Sequence, residues 1–209
     1  MKDLDNFFDV LAENGVKLNE KQKNLIEYYT DLILHFNRTI HLTSRSNTNF
    51  VILKNLFDSA VLKVFLPHFD SLVDLGAGAG FVGIVNKILN PSITLYLVEK
   101  NTRKSSFLSI VVKELGFDNV YIFQSDWKEL ILDADVAVSK ASCGLSELIE
   151  LMSNFLKPEG LLLHYSTRLT ACPLVNKFYR YFSPYVSRPQ YICVYINKVG
   201  DSGNVPRGT

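Results

Sequence analysis

The sequence predicts an α/β fold in which a mostly parallel sheet carries helices on both faces. Three observations predict it. From Leu72 onward short apolar runs alternate with helical stretches, and the breakers Asn90-Pro91, Gly116 and Pro158-Glu159-Gly160 fall between them. Strands alternating with helices in this way build parallel βαβ units. Before residue 70 the apolar positions repeat at helical spacing, and near the end two short strand-like segments are joined through Arg188-Pro189. The fold therefore starts with a helical extension and closes with an antiparallel hairpin.

Taken in order, Asn19-Glu-Lys-Gln22 has the form of a capping box. Leu25, Ile26, Tyr29, Leu32, Ile33 and Phe36 then line one face of a helix. A polar segment, His41 to Asn49, interrupts the spacing. A further helix over about Phe50 to Phe65 puts Leu53, Leu56, Phe57, Ala60, Val61 and Val64 on its buried side, with Pro67 just past its end. Strands are expected at Leu72–Leu75, Ile93–Val98, Val120–Gln124, Val136–Ser139 and Gly160–His164. A helix around Leu174–Phe182 and a hairpin of Tyr185–Ser187 with Tyr191–Ile196 complete the reading. This divides the chain into a helical extension over 1–68, a sheet domain over 69–199 and a flexible tail over 200–209.

Composition excludes several classes. The 209 residues are 47% hydrophobic and 21% charged, enough for one sizeable core and free of low-complexity tracts. A net charge of +1 gives no global signature of a nucleic-acid binder, so any polyanion contact must come from local clusters. Cys143, Cys172 and Cys193 share no C-x-x-C spacing, which argues for free thiols in a reducing compartment and against a zinc site. No metal is expected. The N-terminus is neither basic nor followed by a long apolar run, so a cytoplasmic protein without membrane association is expected.

The chemistry concentrates in Ser71-Leu-Val-Asp-Leu-Gly-Ala-Gly-Ala-Gly80. A buried strand carrying Asp74 stops at a turn with Gly76, Gly78 and Gly80 spaced two apart, where backbone has to approach something closely. The next strand ends in Glu99. A glycine-rich turn after one strand and a carboxylate at the tip of the next make a nucleoside site in an open α/β sheet. Two cofactor classes share this pattern. Gly78-Ala-Gly80-Phe-Val-Gly83 satisfies the dinucleotide G-x-G-x-x-G, which requires the strand to end just before Gly78. With the strand ending near Leu75 the turn opens at Gly76, and an Asp two residues before G-x-G-x-G suits S-adenosyl-L-methionine, with Glu99 accepting both ribose hydroxyls. A closing hairpin also fits the class I (Rossmann-like) methyltransferase fold better than a dehydrogenase. A tight turn that holds no ligand is the remaining reading.

The chain resembles one family, the bacterial 16S ribosomal RNA guanine-N7 methyltransferases, also called glucose-inhibited division protein B. The residues that carry the resemblance are Asn37-Arg-Thr-Ile-His-Leu-Thr43, Leu56-Phe-Asp58-Ser59, Gly80-Phe-Val-Gly83-Ile84, Arg103-Lys-Ser-Ser-Phe107-Leu108, Val138-Ser-Lys140-Ala141 and Leu156-Lys-Pro-Glu-Gly160. The resemblance implies adenosylmethionine held by Asp74, Gly76, Ala77, Gly78, Gly80, Phe81, Glu99, Lys100, Trp127, Lys128 and Lys140. At Asp126-Trp127-Lys128, where the family has Arg-Ala-Glu, the amides of Trp127 and Lys128 are expected still to read the adenine edge and the Trp127 ring to stack on it. It also implies 16S ribosomal RNA or the small subunit as partner, and a monomeric enzyme is expected. The sequence departs from the family at Asp126-Trp127-Lys128, at Asn55 where histidine is usual, at Lys140 in place of arginine, and at His164-Tyr165-Ser166.

Guanine N7 carries a free lone pair, so its methylation needs alignment and exclusion of water rather than a catalytic base. A donor or cation near guanine O6 helps, and Lys140 at the end of the fourth strand is the candidate, against a reading as a solvated loop lysine. Candidate substrate contacts are Arg38, Arg45, Arg103, Lys104, His164 and Arg168, provided that they share a face. Asp58 and Ser59, on a helix facing the glycine loop, are read either as capping or positioning that loop or as contacting substrate, and Asn37 is expected to hold the loop that follows it. The rival functions are a methyltransferase of the same fold with another RNA or small-molecule substrate, a non-catalytic ribosomal RNA binder, and a nucleotide-dependent oxidoreductase.

Overall fold

The computed structural model describes residues 4–44, 46–140, 144–168 and 176–198. The expectations for Arg45, Cys143, Cys172 and the tail over 200–209 lie outside them. Seven strands form one sheet: β1 Ser71–Leu75, β2 Thr94–Val98, β3 Val120–Phe123, β4 Ala134–Lys140, β5 Leu156–Ser166, β6 Lys177–Tyr181 and β7 Gln190–Ile196. Their spatial order is β3-β2-β1-β4-β5-β7-β6. The first five run parallel, and β7 lies antiparallel between β5 and β6. The order reverses between β1 and β4, the switch point where open α/β sheets hold ligands beyond the carboxyl ends of their strands.

One face is covered by α1 Leu4–Glu13, α2 Glu20–Phe36, α3 Thr48–Ala60, the single turn α4 Leu62–Phe65, α5 Phe81–Leu89 and α6 Thr102–Glu114. The larger core cluster runs without a break from Leu4 to Val194, so the N-terminal helices and the sheet share it. The second face packs α7 Leu145–Leu151 and two 3-10 turns around Trp127, Leu148 and Phe155. Helix α5 is buried on every side between the sheet and α3. That environment requires its polar members to be satisfied internally. Lys87 Nζ donates to the carbonyls of Pro91 and Ile93, and Asn86 donates to those of Ser59 and Val82.

Several local expectations hold. Asn19 and Gln22 form the capping box on α2. Asn37 Oδ1 accepts from the amides of Leu42 and Thr43 at 2.9 and 3.0 Å, fixing the loop after α2. Others are corrected. The helix expected over Phe50 to Phe65 is two elements that meet at Val61, and Val64, in the short second one, is 49% exposed instead of buried. Strand β5 starts at Leu156, four residues before Gly160, because a register shift opposite Ala134 and Val136 absorbs the Lys-Pro-Glu-Gly turn. The larger correction is at 177–181, read as helix and found as β6. Lys-Phe-Tyr-Arg-Tyr alternates at period two, and only Tyr179 and Tyr181 turn inward to pack on Phe65. The terminal hairpin is therefore β6 with β7, and Tyr185–Ser187 belongs to its connection.

Candidate active site

Strand β1 ends at Leu75 and α5 begins at Phe81, so the turn opens at Gly76, as the methyl-donor reading requires. The amides of Gly76 and Ala77 both donate to the Val98 carbonyl at the end of β2, which ties the turn to the neighbouring strand. Two glycines in the turn do different work. Gly80 (φ +84°) answers to internal packing: a Cβ there would lie 2.7 Å from Leu108 Cδ2 and 2.9 Å from Ile84 Cγ1. Gly78 (φ +61°) has no such neighbour, since its Cβ would meet nothing nearer than the Gly76 carbonyl at 3.9 Å. The space above Gly78 is a cradle that the protein leaves unfilled.

Glu99, at the tip of β2, lies under this cradle. Its Oε2 accepts from the Gly78 amide and its Oε1 from the Asn101 amide, each at 2.8 Å. Each carboxylate oxygen retains a lone pair for a further donor, the arrangement a ribose diol needs. A recess of about 230 Å³ opens here, with Glu99, Lys100, Lys104, Asp126 and Trp127 around it. Lys100 is exposed and its Nζ lies 3.8 Å from the Asp126 carboxylate.

The adenine contacts expected of Trp127 and Lys128 are altered by Asp126. Its Oδ1 caps the short turn that follows and accepts from the Lys128 amide, so that N–H is already engaged. Lys128 Nζ pairs with Glu147 and lies 5.9 Å from the Trp127 ring centroid. The Trp127 indole is 9% exposed and packs edge-on against Phe155 at 6.4 Å. It presents a wall to the recess and anchors the second core.

A second recess, about 240 Å³, shares Gly76, Ala77 and Gly78 with the turn and extends to Thr43, Asn55, Asp74, Phe81 and Lys140. Asp74 is buried, and its Oδ2 accepts from the Gly83 amide in the first turn of α5 at 2.8 Å. Burial pushes its carboxyl up to about 6, against the lowering effects of that hydrogen bond and of Lys140. Phe81 packs edge-on against Tyr29, whose hydroxyl donates to the Ala79 carbonyl and links α2 to the turn.

Lys140 is the residue whose setting the sequence concealed. Its side chain is only 20% exposed. Nζ donates to Asn55 Oδ1 at 2.8 Å and to Asp58 Oδ2 at 3.1 Å, and lies 5.2 Å from the Tyr165 ring centroid. Asp58 Oδ2 also accepts from Lys54 at 2.6 Å, and the Asp58 carbonyl accepts from the Tyr165 hydroxyl. Burial pulls the Lys140 ammonium down to about 8; the Asp58 charge opposes this and the Lys54 charge adds to it. A solvated loop lysine does not describe this group. The missed partners had one signal: Asp58 falls on the apolar face of a helix, and a carboxylate there must find a counter-charge.

The substrate candidates do not form one cluster around Lys140. His164 pairs with Ser139 across the strands, so its side chain leaves the sheet on the face opposite Lys140, whose own neighbour is Tyr165. Its ring is half-buried, Nδ1 lacks a hydrogen bond among the described residues, and burial lowers its pKa. Arg38 is exposed beside the Asn37 loop, Arg103 is exposed on the first turn of α6, and Lys104 borders the first recess. Arg168 is exposed just beyond β5, its backbone bonded to Ser166.

Comparison with known proteins agrees with this geometry. The family described as rRNA small subunit methyltransferase G (GidB) matches residues 22–180. The ribosomal RNA small subunit methyltransferase G of Streptococcus pyogenes serotype M12 is 34% identical over 166 residues, 75% of this chain and 70% of that protein. The enzyme of the same name from Streptococcus gordonii is 31% identical over the same length. Among solved structures, M. jannaschii TYW2 in complex with AdoMet superposes with a TM-score of 0.51 at 15% identity, over 68% of this chain and 74% of that one. At that identity the likeness is one of fold, the class I methyltransferase fold.

Proposed function

The chain belongs to the rRNA small subunit methyltransferase G family, and on that premise we propose that it methylates N7 of a guanine in 16S ribosomal RNA with S-adenosyl-L-methionine, acting as a cytoplasmic monomer. The observation that carries the proposal is the pair of recesses that share Gly76 and Gly78, one lined by Glu99 and the other by Asp74 and Lys140. Adenosylmethionine, when bound, supplies a methyl group on a sulfonium that a lone pair displaces in line.

The residues divide the remaining work. Glu99 takes the ribose hydroxyls on the lone pairs left over from its two backbone donors, and the bare Cα of Gly78 lets the sugar approach. The adenine lies along the wall made by Trp127 in the first recess. Asp74, at the junction, faces the cationic methionine end and is ionised at neutral pH because its carboxyl titrates near 6. Lys140 donates to guanine O6, which shares an edge with N7, and so sets the angle at which N7 meets the methyl carbon. Asp58 offsets part of its charge through a carboxylate that Lys140 shares with Lys54. No proton has to leave the base.

The test is transfer of labelled methyl groups to small subunits and to protein-free 16S RNA from cells lacking the modification, with the product base identified by mass spectrometry. Label in 7-methylguanine is the expected result. Label in a different base, or none on either RNA with folded protein, overturns the proposal.

A further inference from the structure

The far edge of the sheet carries a feature that the catalytic groups do not use. Residues 160–200 contain five basic residues, Arg168, Lys177, Arg180, Arg188 and Lys198, and no acidic one. The rest of the chain holds 17 basic and 21 acidic residues, so a near-neutral protein is divided into a +5 segment and a −4 remainder. Strand β6 within this segment is the sheet's terminal strand.

Its outward positions alternate aromatic and cationic groups. Phe178 and Phe182 are 45% and 60% exposed. The Arg180 guanidinium lies 4.9 Å from the Phe182 ring centroid, and Phe178 meets Tyr191 of β7 edge-on at 6.3 Å. Register places these groups relative to the site: Arg180 pairs with Tyr191, and Tyr191 pairs with Ser166 at the carboxyl end of β5. The row Arg180–Tyr191–Ser166 is therefore at the same edge of the sheet as Lys140, and three strand spacings, roughly 14 Å, separate β6 from β4. His164 is on the same sheet face as this row, two residues along β5; that face is opposite Lys140, so RNA held there reaches Lys140 over the carboxyl ends of β4 and β5.

Resting on the RNA reading above, we propose that this face, with Arg180, Phe182 and Tyr191 at its centre, docks the single-stranded RNA flanking the target guanine. Exposed aromatic rings beside cations suit single-stranded nucleic acid, where bases stack on rings and phosphates meet the charges. Cations on a terminal strand also discourage edge-to-edge pairing between molecules. The two roles predict different results. An edge guard works equally well with lysine and has no dependence on the neighbouring ring, whereas Arg180 stacked on Phe182 offers a planar donor face.

The experiment measures binding of a fluorescein-labelled short single-stranded RNA and of protein-free 16S RNA, as a function of salt, for the full chain and for Arg180→Gln, Arg180→Lys and Phe182→Ala. Adenosylmethionine affinity and light scattering are recorded on every variant. Docking predicts about tenfold weaker RNA binding for Phe182→Ala and for Arg180→Gln. It also predicts a salt slope shallower by about 0.7 for Arg180→Gln, with adenosylmethionine affinity unchanged. RNA affinities within twofold of the parent overturn the docking face alone if the parent binds RNA and methylates it. Increased scattering with unchanged RNA affinity overturns it in favour of an edge guard. A parent chain that binds adenosylmethionine and no RNA overturns both this proposal and the function on which it rests.

Discussion

The role proposed for Lys140 predicts the pH dependence of methyl transfer above neutrality. Its ammonium titrates near 8 because burial disfavours the charge, while Asp58 at 3.1 Å works to keep it. With that value the charged fraction falls from about 90% at pH 7 to about 10% at pH 9. If the donor to guanine O6 is the ammonium, kcat/KM for RNA falls about tenfold over that interval, and it reports the titration of the adenosylmethionine-loaded enzyme before RNA binds. Lys140→Arg, which holds its charge throughout, keeps the plateau to pH 9 at whatever level its geometry allows. Asp58→Asn removes the principal influence that holds the charge on Lys140, so the descending limb moves to lower pH. The assay is initial-rate methyl transfer to protein-free 16S RNA with adenosylmethionine saturating. A flat profile for the parent, or the same descending limb in Lys140→Arg, refutes the role given to Lys140.

Three further outcomes follow from the turn and its supports. Glu99→Gln weakens adenosylmethionine binding by at least tenfold in calorimetry, since a charged hydrogen bond contributes about 1.5–3 kcal/mol; unchanged affinity would remove Glu99 from the ribose. Adenosylmethionine affinity of the parent rises as pH increases through about 6, where Asp74 ionises, and Asp74→Asn flattens that rise; a parent affinity constant from pH 5 to 7 would argue that Asp74 serves only the Gly83 amide. Gly83→Ala forces a Cβ to within 2.5 Å of Leu97 Cδ2 and 3.1 Å of Leu95 Cδ1. It should cost about 1–3 kcal/mol, read as a lower melting temperature, and an unchanged melt would mean α5 is less tightly set on β2 than the structure indicates.

The glycine turn, Asp74 and Glu99 were legible in the sequence because strand ends, glycines and carboxylates there are consecutive or about twenty residues apart, within one βαβ unit. The same holds for Asn19 with Gln22 and for Asn37 with its loop, where donor and acceptor are local. The partnership of Lys140 with Asp58 was not legible, since 82 residues separate them and only the docking of α3 on α5 brings them together. Asp126 shows a different limit. Its charge looked like a change in the adenine pocket, but its carboxylate caps the turn that carries Trp127. Strand β6 was misread because aromatic residues in Lys177–Tyr181 fit a helix face and a strand equally, and the alternation that decides between them spans only five residues.

The position of Asp58 bears on how the chain is made. Helix α3 leaves the ribosome well before β4, so for a time this carboxylate exists without Lys140. Lys54, one helical turn upstream, supplies a counter-charge from within the same helix. A nascent α3 can thus pack against α5 without stranding a buried anion. Lys140 arrives as the second cation on an acceptor that is already held in place, and Tyr165, one strand later, completes the pocket around both. A disturbance in the earliest third of the chain would then surface in the setting of a residue translated long afterwards.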